Sequence, residues 1–319
     1  MPRYVLTGVG GSLGSIAASY ALEIAPPGST LVFSTSDPDK ISSETRRFWL
    51  EKEATISAAS YDDVSSLQRV FVGAEAVTLI STWAFGRRHQ QAQNVIDAAK
   101  FCGVRRICYT SFVGADDPAP IDEMPFLPRD HKLVEALIRA SGLEYNIQRD
   151  FLYIDNIPNL FAPSWKFCGN RWLSNSGGVP GAYVAREDCG RVLSALLLGR
   201  GKPNTVYNVT GPETVTDEQM FQWICSNVKD QGQIVTVSDQ ELKDYWLQRG
   251  LPTTVLGDFS QIPMKLCIED LLCCGEMVAR GYMAKTSDTV ETLTGRKPLS
   301  FQDVLVKYKD VFDGGTSYL

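Results

Sequence analysis

Tyr4-Val-Leu-Thr7-Gly8-Val-Gly10-Gly11-Ser12-Leu13-Gly14 is the stretch that decides the fold of this chain. Tyr4 to Leu6 is a short apolar run and reads as a buried strand. Glycines follow at once. From Ser12 the residues Leu13, Ile16, Ala17, Tyr20 and Ala21 fall three or four apart, the spacing of one helix face. Strand, glycine turn and helix in that order predict the opening of a dinucleotide-binding unit. The spacing is G-x-x-G-x-x-G. Gly8 serves the tight turn, Gly11 lets a pyrophosphate approach the backbone, and Gly14 lets the helix pack close on the strand. The helix start offers free N–H groups to the phosphates, with Thr7, Ser12 and Leu13 as neighbouring contacts. An ordinary glycine turn has the same letters, so the chain around it must decide.

Outward from that turn, strand and helix alternate. Thr30 to Ser34 is a second strand. It ends in Ser34-Thr35-Ser36-Asp37-Pro38, where such a unit meets the adenosine ribose. Thr35, Ser36 and Lys40, followed by Arg46 and Arg47, suit a 2′-phosphate and point to NADPH. Asp37 either favours NADH at that place or caps the turn before Pro38. After a third strand, Ala54 to Ala58, Ser60 and Tyr61 flank the adenine, and Asp62 or Asp63 caps a helix over 64–71. A fourth strand, Ala76 to Ile80, ends in Ser81-Thr82-Trp83, the edge that lines a cofactor in open α/β sheets. Trp83 and Phe85 either roof the nicotinamide or substrate, or pack on the core. A helix is expected over 87–101, its His89 on a solvated face among Arg87, Arg88, Gln90 and Gln91. A fifth strand, Arg106 to Thr110, leads to Ser111. A helix over 130–141 is closed by Gly142, and Tyr145 to Arg149 is a sixth strand. The pattern predicts an α/β fold with a doubly wound parallel sheet over 1–150.

From Asp150 the text turns aromatic and proline-broken. It reads as a smaller α+β substrate lobe over 151–319, with segments near 183–210 able to return to the main sheet. Helices are expected over 189–198, 217–228, 241–249, 264–281 and 301–312, and strands over 206–209 and 234–237. Thr216 and the Ser238…Glu241 capping box mark two of the helix starts.

Composition narrows the function classes. The chain has 319 residues, 44% hydrophobic and 21% charged, with a net charge of −6, ordinary for a globular protein. No long basic run suggests nucleic acid, and no apolar run approaches the roughly 20 residues of a membrane span. The first strand leaves no room for a signal peptide, so the cytoplasm is expected. Eight cysteines show no C-x-x-C pair. They read as reduced core residues, with no metal site. No heptad repeat is visible, and a monomer or homodimer is expected.

Several of these stretches together resemble the NmrA-like group of atypical short-chain dehydrogenases. They are the N-terminal glycine turn, Tyr109-Thr-Ser111, His131 through Gly142, Arg149-Asp-Phe-Leu-Tyr153-Ile-Asp-Asn156, Val184-Ala-Arg-Glu-Asp188 and Thr294-Gly-Arg-Lys-Pro298-Leu-Ser-Phe301. Within the group the chain is similar to NAD(P)H:quinone oxidoreductases and fungal secondary-metabolite oxidoreductases. The resemblance spans nearly the whole chain. It implies a Rossmann fold, NADPH or NADH as cofactor, and reduction of a quinone, an enone or another flat conjugated substrate. The group also holds redox sensors that bind dinucleotide without turnover, and a non-redox cyclase, isomerase or lyase is a third reading. Where short-chain dehydrogenases carry Tyr-x-x-x-Lys, this chain reads His131-Lys-Leu-Val-Glu135. The resemblance implies that His131 steadies or protonates the substrate oxygen, and that Ser111 donates to the same oxygen. The plainer readings are a helix-start role for His131, a backbone cap for Ser111, and a Lys132–Glu135 pair on the helix face. Phe151, Tyr153, Asn156 and Trp165, with Trp83 and Phe85, are expected at the cofactor and substrate slot.

Overall fold

Val5 and Leu6 are both fully buried, although they point to opposite faces of the first strand. Only a sheet covered on both sides allows this. The computed structural model describes residues 1–83, 86–228, 232–262 and 266–313, and its strands form that sheet. They are β1 (Arg3–Thr7), β2 (Thr30–Thr35), β3 (Thr55–Ala58), β4 (Ala76–Leu79), β5 (Arg106–Phe112), β6 (Glu144–Asp150), β7 (Arg171–Ser174), β8 (Thr205–Val209) and β9 (Gln233–Thr236). The main sheet runs β3-β2-β1-β4-β5-β6-β8, with every pair parallel. This is the doubly wound Rossmann order, and its crevice opens at the carboxyl ends of β1 and β4, where the order reverses.

The first ten helices are α1 (Ser12–Ile24), α2 (Ser43–Glu51), α3 (Val64–Phe71), α4 (Arg88–Phe101), α5 (Phe126–Ala140), α6 (Ala162–Phe167), α7 (Arg186–Leu197), α8 (Asp217–Asn227), α9 (Asp239–Leu247) and α10 (Ile268–Ala279). Val5, Val32, Val77, Ile107 and Ile147 share one core with residues of α3, α4 and α5. Leu6 and Phe33 share the other with residues of α1 and α7. Those two helices touch closely. A Cβ on Gly190 would sit 2.6 Å from Ile16 Cγ2, and Ser194 Oγ donates to the Ala17 carbonyl at 2.6 Å. Since α7 and β8 lie beyond residue 150, the main sheet and its helices are not contained in 1–150.

Several boundaries differ from the sequence reading for local reasons. Helix α5 begins four residues before Asp130. Pro128 is tolerated because it stands third in the helix, where no intrahelical N–H is needed. The stretch 301–312 breaks into three short helical pieces, and part of 264–281 lies outside the described residues. Helix α2 was not read from the sequence, although Ser42 caps its start by accepting from Thr45 N at 3.1 Å. It is held by Trp49, fully buried against Phe33. A third core, with Leu160, Leu242, Trp246, Leu266 and Leu271, holds the smaller lobe, where β7 and β9 pair in parallel. Among the described residues no helix is long and apolar enough to cross a membrane.

Candidate functional site

A cavity of about 530 Å³ lies along the carboxyl ends of β1, β4, β5 and β6. Its first end is the glycine turn. Gly8 sits at φ +71°, a left-handed conformation that glycine adopts without strain. A Cβ on Gly14 would come within 2.2 Å of the Gly8 carbonyl oxygen, whereas one on Gly11 would meet no protein atom closer than 3.5 Å. The space over Gly11 is therefore left for a ligand. No side chain caps α1, and its first turn carries no acid. A phosphate fits this cradle: backbone N–H groups and a helix dipole face it with nothing in competition.

The neighbouring polar residues divide into two groups. Ser12 and Leu13 line the cavity with Ser81, Thr82 and Trp83. Thr7 does not. Its hydroxyl donates to the Thr78 carbonyl at 2.8 Å and bonds Tyr61 Oη, which also accepts from Ile80 N at 3.1 Å. These two side chains fasten β1 to β4 from behind. Ser60 bonds Ser66 at the start of α3, whose N-cap is Asp63. At the end of β2, Thr35 is buried while Ser36 and Lys40 are exposed. Asp37 accepts from Asp39 N at 3.1 Å, so it serves the turn before Pro38.

The other end of the cavity holds the titratable groups. His131 on α5 is 3% exposed and lines the cavity between the rings of Tyr109 and Phe112, at 5.8 and 5.9 Å. Its Nδ1 lies 2.7 Å from Tyr109 Oη. Burial first, and the Arg88 guanidinium second, hold the imidazole well below its ordinary pKa. Burial likewise holds the Tyr109 hydroxyl well above its own. Tyr109 thus keeps its proton, and its hydroxyl donates to Nδ1 or accepts from it according to the tautomer of the ring. A neutral ring with Nδ1 accepting carries its hydrogen on Nε2, which has no hydrogen-bond partner among the described residues.

Ser111 Oγ donates to Glu135 Oε1 at 2.7 Å. Glu135 is 1% exposed and takes both of its oxygens to Arg149, at 2.8 Å each, with Arg139 at 2.9 Å. Burial pushes its pKa up, but Arg149, Ser111 and Arg139 outweigh that and leave it below the usual carboxylate value. The expected Lys132–Glu135 pair does not form: Lys132 reaches instead to the Asp117 carbonyl. The i,i+3 spacing was right for a surface pair, but position 135 faces inward.

The sequence reading missed Arg88, taken as part of a solvated polar run with His89. His89 is exposed. Arg88, 7% exposed, pairs with Asp130 at 2.8 Å and donates to the Thr82 carbonyl at 2.7 Å, tying α4 to the cavity edge. Its one signal was the helical register, which puts Arg88, Gln91, Ala92, Val95 and Ile96 on a single buried face. Asp150 and Asp270 also line the cavity unannounced. Phe151 and Tyr153 lie on the cavity wall, and the Arg186 guanidinium stands 5.2 Å over the Tyr153 ring. Asn156 is there too, accepting from Arg186 Nη2 at 2.9 Å. Trp165 is not. It is buried with Trp172, Phe221 and Phe312, at 5.1, 5.0 and 6.0 Å, because its face of α6 turns into the core. Phe85 lies outside the described residues. Among the described residues no cluster could hold a metal ion.

Burial raises the Asp150 carboxyl to about 6, against hydrogen bonds from Tyr153 and Gln148. The unfolded chain ionises this group from about pH 4, while the folded chain resists until about 6. Stability is therefore lost as pH rises through that window. Two pH units at roughly 1.4 kcal/mol each make about 3 kcal/mol. Asp150→Asn is expected to remove this slope and to be no less stable than the parent at pH ~8. Urea unfolding at several pH values checks it, and an unchanged slope between pH ~4 and ~6 would contradict it.

Comparison with known proteins agrees with this fold. A family model described as NAD(P)H-binding matches residues 8–198. The NmrA-like family domain-containing oxidoreductase of Aspergillus flavus is 23% identical over 309 residues, 95% of this chain and 94% of that protein. Quinone oxidoreductase 2 of Escherichia coli is 26% identical over 240 residues, 75% of this chain and 78% of that one. The crystal structure of the NADPH-dependent quinone oxidoreductase from Escherichia coli, complexed with NADPH, has the same fold. Its TM-score is 0.79 at 23% identity, over 96% of this chain and 99% of that one.

Proposed function

The chain belongs to the NAD(P)H-binding family and is an NAD(P)H-dependent oxidoreductase of the NmrA-like, quinone-oxidoreductase type, and from that premise we propose that it uses NADPH to reduce a quinone, an enone or a similar flat conjugated carbonyl. One observation carries the proposal: the cavity that begins at the glycine cradle ends at a buried, neutral imidazole whose Nε2 has no hydrogen-bond partner among the described residues. Bound NADPH supplies a hydride. The acceptor oxygen then gains negative charge, and a preorganised donor in a dry site stabilises it. His131 Nε2–H is that donor. Arg88 opposes its protonation, so it acts as a neutral N–H in the tautomer whose Nδ1 accepts from Tyr109. Leu13, Phe112, Phe151 and Leu152 supply the apolar walls that suit a flat substrate and keep water out.

NADPH is favoured over NADH because Thr35, Ser36 and Lys40 stand at the ribose end, while Asp37 is taken up by its own backbone and by Lys40 at 3.9 Å. The names of the Aspergillus and Escherichia relatives support the reaction class. A cytoplasmic enzyme of secondary metabolism is the setting that fits this reading, through the resemblance to fungal oxidoreductases.

The test of substrate class is steady-state oxidation of NADPH by small quinones and cyclic enones, with saturated ketones alongside. Conjugated acceptors are expected to react at least about tenfold faster, since they spread the developing charge onto the oxygen that His131 meets. Equal rates, or preference for the saturated ketones, would overturn the substrate assignment.

A further inference from the structure

Ser111 stands at the end of β5, 3% exposed, with its side chain on the cavity wall. A serine hydroxyl has one hydrogen to give and two lone pairs. The hydrogen goes to Glu135 Oε1 at 2.7 Å. Glu135 has nothing to give back, because a carboxylate clasped by Arg149 on both oxygens and by Arg139 on one remains an acceptor only. No other partner of Ser111 Oγ exists among the described residues. What Oγ has left for the cavity is lone pairs.

We infer that Ser111 faces the cavity as a hydrogen-bond acceptor, held in that sense by Glu135, and that it selects a ligand presenting an N–H or O–H donor there. This departs from the expectation that Ser111 donates to the oxygen that gains charge. Only His131 does so. The inference rests on the reading that the cavity takes a nicotinamide dinucleotide and a conjugated substrate. Two sources can present the donor: the carboxamide or a sugar hydroxyl of the dinucleotide, or a hydroxyl on the substrate. Ser111 is then a ligand contact, and Glu135 is a positioning residue that acts through it.

The experiment compares the parent with Ser111→Ala, Ser111→Thr and Glu135→Gln. Dinucleotide affinity is read by fluorescence titration with NADPH and with its 3-acetylpyridine analogue, which lacks the amide N–H. KM and kcat are read with a hydroxyquinone and its methoxy counterpart. Ser111→Ala is expected to weaken one of these ligands about three- to tenfold, the worth of one neutral hydrogen bond, with kcat changed less. Ser111→Thr is expected to restore it. Loss for NADPH but not for the acetyl analogue assigns the donor to the carboxamide. Loss for both dinucleotides assigns it to a sugar hydroxyl. Loss confined to the KM of the hydroxyquinone assigns it to the substrate. Glu135→Gln, if folded, offers an amide N–H to Ser111 and frees its proton, so the acetyl analogue should gain relative to NADPH.

A fall in kcat with affinity and KM unchanged would mean that Ser111 donates after all, and would overturn the inference. Ser111→Ala indistinguishable from the parent on every ligand would overturn it too. Absence of dinucleotide binding by the parent would instead overturn the proposed function, which keeps the two failures apart.

Discussion

Replacing His131 with alanine is expected to lower kcat by roughly 10²- to 10³-fold, with NADPH affinity nearly unchanged. The factor is what one preorganised donor to a developing oxyanion contributes, about 3–4 kcal/mol of barrier. It falls on kcat because the Nε2–H bond strengthens only as charge moves onto the acceptor oxygen. His131→Gln keeps an N–H and is expected to recover part of the loss. The pH behaviour follows from the same burial. An imidazole held well below its ordinary pKa stays neutral across the working range, so the rate should show no limb near pH ~6.5. For stability the sign is opposite to that of Asp150. Below about pH 6.5 the unfolded chain takes up a proton that the folded imidazole refuses. The parent therefore loses stability as pH falls, and His131→Ala should lessen that slope by up to roughly 1.4 kcal/mol per pH unit. Stopped-flow oxidation of bound NADPH, with urea unfolding at graded pH, checks both. Full turnover in His131→Ala would refute the assigned role.

The largest expected effect on stability is Arg149→Leu, at about 3–5 kcal/mol. Arg149 clasps the buried Glu135 carboxylate with two parallel bonds. Without it, Glu135 keeps one bond from Ser111 and one from the half-exposed Arg139. The desolvation of that carboxylate is then poorly offset. The Asp116 contact of Arg149 adds little, because Asp116 is 65% exposed. Replacing both Glu135 and Arg149 by leucine is expected to recover most of the loss, since no charge is then left buried. The cost of the single variant should also shrink in acid, where Glu135 takes up a proton. Urea midpoints of the two variants measure this. A single variant within about 1 kcal/mol of the parent would show that water reaches Glu135 and replaces the pair.

The dinucleotide half was legible because its signals are local. Gly8, Gly11 and Gly14 have fixed spacing: Gly8 answers the positive φ of the turn and Gly14 the close approach of helix to turn, while Gly11 leaves room for a ligand. The alternation of apolar strands and helices predicted the doubly wound parallel sheet, though not the order of its strands. His131 and Ser111 were found through the family resemblance, and both stand on the cavity wall. Their chemistry was not legible, because it depends on partners distant in sequence. Tyr109 pairs with His131 Nδ1 across 22 residues. Glu135 takes the Ser111 proton across 24. Arg88 looked like surface because its neighbours are polar, although the helix turned it inward to Asp130. Trp165 looked like slot lining because aromatics abound near it, and those same aromatics bury it.

The most direct test of the account is a single-turnover mix of the protein, loaded with one equivalent of NADPH, against a small quinone. The near-ultraviolet absorbance of the reduced nicotinamide is followed without oxygen. The account predicts loss of that absorbance in one phase, at a rate that rises with quinone concentration and then saturates. Tight NADPH binding with no loss of absorbance across a panel of quinones and enones would contradict it, and would make the chain a dinucleotide sensor that uses a reductase fold without its reaction.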